Sequence, residues 1–178
     1  MRLILTTITL TMLAQPVWAG NLVEIQLMDK LDEQRGLCID IRGHKERAKV
    51  HRGLQAHTCY SYQGQIGVDQ AFDARLLAQG KFYLPAFEVC MEAEGGVEGA
   101  RLNLNICNDV SSQKSEFTAN NQIRTAIDNE LCVTIDASSS KQGGGGKPPH
   151  LLRDLTLKNC AKSGSKYTTW RIKEQPSH

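Results

Sequence analysis

The sequence contains none of the short motifs that carry common enzyme chemistry. It has no Gly-x-Ser-x-Gly nucleophile elbow, no His-Glu-x-x-His zinc motif and no glycine-rich phosphate-binding loop. Its cysteines include no Cys-x-x-Cys pair, and its histidines show no metal-ligand spacing. The sequence therefore predicts a protein that is not an enzyme and that holds neither a metal ion nor a cofactor.

The sequence also lacks any long run of basic residues. Its 21 lysines and arginines oppose 19 acidic residues, which leaves a formal net charge of +2. A chain this close to neutral has no electrostatic footprint for binding phosphate backbones. We therefore expect no nucleic-acid partner.

Only one long apolar run occurs, and it lies near the N-terminus. Arg2 precedes an uncharged run over residues 3–13, and a helix breaker and small residues follow it up to Ala19. This layout is typical of a secretory signal peptide, and the run is too short to span a bilayer. We therefore expect residues 1–19 to be a signal peptide and residues 20–178 to form one domain. The protein would be secreted or periplasmic, without a membrane span, and the absence of an Asn-x-Ser/Thr sequon agrees with bacterial export.

Aligning the chain on its cysteines reveals three copies of one unit. Each copy has a segment that begins at a cysteine, an alternating segment that ends at a cysteine, and a short closing segment with an aromatic residue. A further segment precedes each copy. Period-two alternation favours strands over helices, so we expect an all-β domain of twelve strands. The segments are 22–27, 36–41, 53–59 and 69–72 in repeat one; 81–84, 87–93, 100–107 and 115–117 in repeat two; and 122–125, 130–135, 152–160 and 168–170 in repeat three.

The six cysteines indicate disulfide bonds. All of them lie beyond the predicted signal peptide, and an export compartment oxidises thiols. Six cysteines allow many connectivities, but two cysteines in each repeat select one bond in each repeat. The predicted bonds are Cys38–Cys59, Cys90–Cys107 and Cys132–Cys160.

The longest irregular stretch covers residues 137–150. It contains four consecutive glycines at residues 143–146, which have high chain entropy and no side chains to pack. The stretch could be a linker between two domains. However, the third repeat continues after it, so we interpret it as a mobile loop within that repeat.

Two sets of residues resemble motifs of the ricin B chain type of lectin. The first set is similar to the family's Cys-Leu-Asp-Val strand and consists of Cys38-Ile-Asp-Ile, Cys90-Met-Glu-Ala and Cys132-Val-Thr-Ile. The second set resembles its Gln-x-Trp ending and consists of residues 70–72, 115–117 and 168–170. The resemblance covers residues 22–173 and implies a β-trefoil, with a six-stranded barrel capped by three hairpins. It also implies that the closing aromatics, Phe72, Phe117 and Trp170, point inward near the pseudo-threefold axis.

The resemblance implies a shallow sugar site in repeat one. Family members bind sugar with an Asp in the cysteine strand, a Gln and an aromatic residue before the second cysteine, and a polar residue followed by Gln at the closing motif. The matching residues here are Asp40, Gln55, His57, Asp69 and Gln70.

Two features of this predicted site remain open at the level of sequence. His57 replaces the usual Trp or Tyr and offers less apolar area for stacking on a sugar, unless Tyr60 or Tyr62 supplies the platform. We expect the Asp40 side chain to face solvent, because alternate residues of its strand face inward. In the alternative interpretation, Asp40 caps a turn and His57 is simply a surface residue.

Repeats two and three keep less of the pattern. Repeat two has Glu92 at the Asp position and Ser115 in place of the closing Gln, and repeat three has Thr134 and Thr168 at these positions. We therefore expect a degenerate site in repeat two and none in repeat three.

The sequence thus predicts an exported carbohydrate-binding module whose partner is a glycan of unknown identity. The alternative is a structural or toxin-accessory β-trefoil subunit, which contacts a partner protein of a toxin or envelope assembly and has lost sugar binding. The nearly intact first repeat favours the lectin, and the degenerate second and third repeats favour the alternative.

Overall fold

The computed structural model describes residues 21–174. The predicted signal peptide, residues 1–19, lies outside the described residues. Over the part of the chain that is described, no helix is both long enough and apolar enough to cross a membrane.

The described residues form an all-β domain with thirteen strands and two short α-helices. The strands are β1 (Leu22–Leu27), β2 (Leu37–Ile41), β3 (Leu54–Thr58), β4 (Phe72–Asp73), β5 (Tyr83–Leu84), β6 (Val89–Ala93), β7 (Leu102–Ile106), β8 (Ser115–Phe117), β9 (Ile123–Thr125), β10 (Leu131–Ile135), β11 (Lys141–Gln142), β12 (Leu151–Asn159) and β13 (Trp170–Glu174). The α-helices are α1 (Ala74–Leu77) and α2 (Ser165–Thr168), and 3₁₀ turns cover Lys45–Arg47, Val50–Arg52, Tyr60–Gln63 and Ser111–Gln113.

Each of the twelve predicted segments overlaps one of these strands. The additional strand is β11, which lies inside the predicted glycine loop and pairs with the start of β12. The count of twelve was therefore one too low for the described residues. The two residues of β11 are too short to give a periodic signal in the sequence.

The three repeats build the same cysteine-marked hairpin. In the pairs β2–β3, β6–β7 and β10–β12, the first cysteine lies opposite the residue two positions before the second cysteine. The predicted disulfide bonds are confirmed, with Cα–Cα distances of 5.0, 5.0 and 5.1 Å in Cys38–Cys59, Cys90–Cys107 and Cys132–Cys160. Each bond closes a loop within one hairpin and stabilises the fold by about 3 kcal/mol in the chain-entropy model.

The two ends of the described chain close the domain. Strand β1 pairs antiparallel with β13, from Val23 opposite Glu174 to Leu27 opposite Trp170. Strands β1 and β13 belong to one ten-stranded sheet, and β5, β6 and β7 form a second sheet of three strands. The first and third repeats are therefore joined directly by main-chain hydrogen bonds.

The core lies between the repeats and contains two of the three predicted inward aromatics. Phe72 and Trp170 are fully buried, and the Trp170 indole Nε1 donates to the Val133 carbonyl oxygen at 2.9 Å. Phe117 is only partly buried and stacks on the fully buried Phe82, with ring centroids 6.0 Å apart. Phe82 is thus a core aromatic that the motif comparison did not predict.

The stretch 137–150, predicted to be a mobile loop within repeat three, contacts repeat one. Strand β11 begins a small hairpin, in which the Gly143 amide donates to the His150 carbonyl oxygen at 2.7 Å. The Arg35 guanidinium donates to the Pro148 and Pro149 carbonyl oxygens, both at 2.9 Å. These contacts bring a loop of the third repeat against the predicted sugar site of the first.

Candidate functional site

The residues predicted to form the sugar site in repeat one do come together. Asp40 on β2 lies directly opposite Gln55 on β3, and the Gln55 amide donates to Asp40 Oδ1 at 2.8 Å. The Gln70 amide donates to the other carboxyl oxygen, Oδ2, at 3.0 Å. His57 lies on the same strand as Gln55, and its Nδ1 is 4.0 Å from Asp40 Oδ2. Asp69 precedes Gln70, and one of its carboxyl oxygens accepts from the Lys45 amide.

Gln70 is held in place by the main chain around the second cysteine. Its Nε2 also donates to the Thr58 carbonyl oxygen at 3.1 Å, and its Oε1 accepts from the Tyr60 amide at 2.9 Å. Thr58 and Tyr60 flank Cys59 in the chain. The closing Gln therefore fixes both the hairpin end and the Asp40 carboxyl group, which is the role that the lectin resemblance implies for it.

The expectation that Asp40 faces solvent is wrong, because its side chain is only 1% exposed. The alternative interpretation also fails, since Asp40 accepts from side-chain amides rather than capping a turn, and His57 is buried. Asp69 and Gln70 are buried as well. The strand alternation correctly places Asp40 on the outer face of β2, but other parts of the chain cover that face.

An aromatic cover closes the repeat-one site, and we define it as Tyr60, Tyr62 and His150. The His150 ring lies 5.0 Å from that of His57 and 5.6 Å from that of Tyr60, both in edge contact. The Tyr62 hydroxyl lies 2.9 Å from His150 Nε2. Tyr60 and His150 are buried, while Tyr62 is 41% exposed. Of the two tyrosines considered as a sugar platform, only Tyr62 is exposed, and the Arg35 guanidinium lies over its ring, 5.2 Å from the centroid.

Burial shifts the pKa values of the ionisable groups in the closed site in the direction that favours their neutral forms. It raises the pKa of Asp40 well above its usual value, an effect to which the nearby Asp69 adds. Burial also raises the pKa of Asp69, whose Oδ1 is buried without a hydrogen-bond partner among the described residues. The same effect lowers the pKa of His57 to about 4, so its imidazole is neutral at physiological pH.

Repeat two contains a second carboxylate–amide framework, which we define as Glu92, Asn105, Ser112 and Gln113. The Gln113 Nε2 donates to Glu92 Oε2 and to the Ile106 carbonyl oxygen, both at 3.1 Å. Its Oε1 accepts from the Asn108 amide at 2.8 Å. Because Ile106 and Asn108 flank Cys107, Gln113 makes the same three contacts that Gln70 makes around Cys59.

The structure therefore corrects the assignment of Ser115 as the replacement for the closing Gln. Ser115 begins β8 and is buried, and Gln113 lies two residues before it. The motif comparison missed Gln113 because it placed Phe117 at the position of the closing aromatic. The order Ser112-Gln113 matches Asp69-Gln70 and could have identified Gln113. However, the loop from Cys107 to Gln113 is shorter than the loop from Cys59 to Gln70, so the two motifs do not align by their distance from the cysteine.

The two frameworks differ in their exposure. Glu92 is half-buried and Asn105, which occupies the position of His57, is exposed. The Asn105 amide donates to Glu92 Oε2 at 2.8 Å, and the Ser112 hydroxyl donates to Oε1 at 3.0 Å. Hydrogen bonds from Asn105 and Gln113 lower the pKa of Glu92, so the carboxylate is ionised at neutral pH. Repeat two thus presents its carboxylate near the surface, where repeat one encloses a buried carboxyl group whose pKa is raised.

Repeat three lacks the framework, as expected. Thr134 occupies the carboxylate position, and its hydroxyl donates to the carbonyl oxygen of Cys132 at 3.0 Å. Thr156 lies opposite it and Thr168 occupies the closing position. Both of these hydroxyls are buried without a partner among the described residues. Within residues 21–174, the positions of repeat three that match Asp40, Gln55 and Gln70 therefore hold threonines and provide no carboxylate for a ligand hydroxyl.

Comparison with known proteins shows the fold. No protein-family model and no curated protein matches the sequence. Among solved structures, the β-trefoil lectin of the Vibrio vulnificus hemolysin/cytolysin with N-acetyl-D-lactosamine bound is 13% identical, with a TM-score of 0.58 over 90% of this chain and 98% of that chain. A mutant C-terminal domain of an earthworm lectin, in complex with 6'-sialyllactose, is 14% identical, with a TM-score of 0.51 over 86% of this chain and 98% of that chain. The predicted β-trefoil, and the likeness of its fold to ricin B-type lectins, are confirmed.

Proposed function

We propose that this chain is a carbohydrate-binding module that binds glycan at the repeat-two framework and keeps a second, closed site in repeat one. The supporting observation is that Gln113 and Glu92 reproduce the contacts of Gln70 and Asp40. The framework implied by the lectin resemblance therefore occurs twice, and one copy is open to solvent. The proposed role is binding, not catalysis.

The open framework suits a sugar with adjacent hydroxyl groups. An ionised carboxylate accepts strong, charge-assisted hydrogen bonds from hydroxyls, and three neighbouring donors already fix the orientation of Glu92. The Asn105 amide can both donate to a sugar oxygen and accept from a sugar hydroxyl. Asn105 provides no ring for stacking at the position where the family has an aromatic residue, so we expect weak binding of a single sugar.

The repeat-one residues Asp40, Gln55, His57, Asp69 and Gln70 remain a proposed sugar site, but one that must open. A sugar hydroxyl cannot reach the buried Asp40 while the aromatic cover is in place. His150 belongs to the loop of repeat three, so movement of that loop would remove His150 from the cover without unfolding the repeat-one hairpin.

Replacing Glu92 with Gln should weaken glycan binding by at least about tenfold, because the neutral amide loses charge-assisted bonds worth about 1.5–3 kcal/mol. We would identify a ligand on a glycan array and measure its affinity by calorimetry, starting with N-acetyllactosamine. Asp40→Asn should leave the affinity unchanged while the cover is closed. When His150→Ala has removed part of the cover, Asp40→Asn should measurably weaken glycan binding.

The matched control is Glu116→Gln, which removes an exposed carboxylate from β8 that takes no part in the hydrogen bonds to Glu92 or Asp40. Equal loss of affinity in Glu92→Gln and Glu116→Gln would show a general charge effect and would contradict the proposed site. If the wild-type protein binds no glycan on the array, the lectin proposal fails. A structural or toxin-accessory subunit that contacts a partner protein would then take its place.

We also propose that the protein is exported and loses residues 1–19. Three disulfide bonds fit an oxidising compartment, and the N-terminal segment has the layout of a signal peptide. The protein recovered from the periplasm or culture medium of a bacterial host should begin at Gly20 in N-terminal sequencing. Recovery of an intact N-terminus would contradict the proposal.

A further inference from the structure

A basic pocket lies where the three repeats meet. It has a volume of about 570 Å³, and we call it the axial pocket. The lysine, arginine and carboxylate side chains that line it are those of Arg42, Arg52, Glu94, Arg101, Lys141 and Asp154. The first two come from the hairpin of repeat one, the next two from repeat two and the last two from repeat three.

Contacts between all three pairs of repeats surround this pocket. Gly53 approaches repeat two so closely that an added Cβ would lie 2.6 Å from the Leu102 carbonyl oxygen. The Leu157 amide donates to the Ala100 carbonyl oxygen at 2.9 Å and joins repeats two and three. Arg42 pairs with Asp154 at 2.7 Å and joins repeats one and three. The pocket therefore exists only when the whole trefoil is assembled.

The charges of the axial pocket are unbalanced. Four cationic side chains face two carboxylates, and one of these carboxylates, Asp154, already pairs with Arg42 and, at 3.5 Å, with Lys141. Arg52 and Arg101 are exposed and form no ion pair within residues 21–174. Their two guanidinium groups leave a local excess of positive charge in a concave surface, although the whole chain is close to neutral.

The side chains of the pocket favour an anion that also carries hydroxyl groups. Guanidinium groups bind the planar or tetrahedral oxyanions of carboxylate, sulfate and phosphate through paired hydrogen bonds. Glu94 and Asp154 would accept hydrogen bonds from the hydroxyl groups of a saccharide, which inorganic sulfate lacks. Asn103, which also lines the pocket, adds an amide that serves either purpose.

We propose that the axial pocket binds an acidic saccharide, with its oxyanion on Arg52 and Arg101 and its hydroxyls on Glu94 and Asp154. Asn103 lies directly opposite Glu92 across the β6–β7 hairpin, so the pocket borders the repeat-two framework. A glycan chain held at Glu92 can therefore extend an acidic residue into the pocket. The two sites use different charged groups, and each can be tested when the other has failed.

The test is calorimetric titration of the full-length mature protein with five probes. These are a heparin-derived tetrasaccharide, 6'-sialyllactose, neutral lactose, inorganic sulfate and a short single-stranded DNA oligonucleotide. At least one of the two acidic saccharides should bind more tightly than lactose, inorganic sulfate and the oligonucleotide do. The double substitution Arg52→Gln and Arg101→Gln should weaken that binding by about a hundredfold, or about tenfold for each guanidinium removed.

The matched control is the double substitution Arg47→Gln and Arg75→Gln, which removes two exposed arginines outside the pocket. This variant should retain binding, and thermal melting should show that all variants are folded. Equal weakening in the two double variants would overturn the proposal by revealing non-specific charge attraction. The proposal would also be overturned if inorganic sulfate or the oligonucleotide bound as tightly as the acidic saccharide. The same conclusion would follow if neither acidic saccharide bound.

Discussion

Trp170→Ala should lower the free energy of unfolding by about 3–5 kcal/mol, the usual cost of removing a buried aromatic side chain from a packed core. Trp170 is fully buried at the start of β13 and lies opposite Leu27 of β1. Its amide donates to the Asn121 carbonyl oxygen at 2.7 Å, and its indole donates to Val133. The substitution would therefore leave a cavity where the first and third repeats close the domain.

Urea unfolding of the oxidised protein measures this effect. Ile172→Ala is the control, because Ile172 lies on the same strand but is 49% exposed, and we expect a loss below about 1 kcal/mol. Trp170→Phe should fall between the two, since it keeps an aromatic ring but loses the indole hydrogen bond. Similar losses for Trp170→Ala and Ile172→Ala would show that the closing aromatic contributes no more than any residue of β13.

The sequence was sufficient to predict the hairpins and their disulfide bonds because local patterns determine them. Leu102 and Leu104 alternate with polar residues along β7, and both are buried. Cysteines at the same positions of three repeats fixed the register, and all three predicted bonds are present. A disulfide within one hairpin depends on contacts that are close in sequence, so the pattern within a single sequence is enough to predict it.

The environment of the candidate site could not be predicted in this way. The alternation of Ile39, Asp40 and Ile41 places Asp40 on the outer face of β2, yet His150 of the third repeat lies over the site next to His57. The pairing of β3 with β12 brings that distant segment into place, and no local pattern encodes it. Gln113 was missed for a related reason: its role follows from three hydrogen bonds, not from its distance to an aromatic residue.

Acidification should destabilise the protein through His57. Its pKa is about 4 in the folded chain, against 6.5 for a free side chain, so between these values the unfolded chain binds a proton that the folded chain does not. Stability from this group is complete above pH 6.5 and decreases as the pH falls, by about 3 kcal/mol at pH 4. Burial is the main cause, and it outweighs the hydrogen bond from His57 Nδ1 to the Thr58 carbonyl oxygen at 2.8 Å, which raises the pKa of His57. Asp40 does not stabilise a protonated His57, because burial raises the pKa of the Asp40 carboxyl group and disfavours its negative charge.

Comparison of variants isolates the histidine, because the buried carboxyl groups act in the opposite direction. The raised pKa values of Asp40 and Asp69 mean that the folded chain gains protons there first, which stabilises it as the pH falls. We would measure urea unfolding at pH 7 and pH 4 for the wild type, for His57→Gln and for the exposed control His51→Gln. Between the two pH values, the wild type and His51→Gln should each lose about 3 kcal/mol more than His57→Gln. If all three proteins respond equally to acid, His57 is not a buried neutral imidazole, and the closed form of the repeat-one site is wrong.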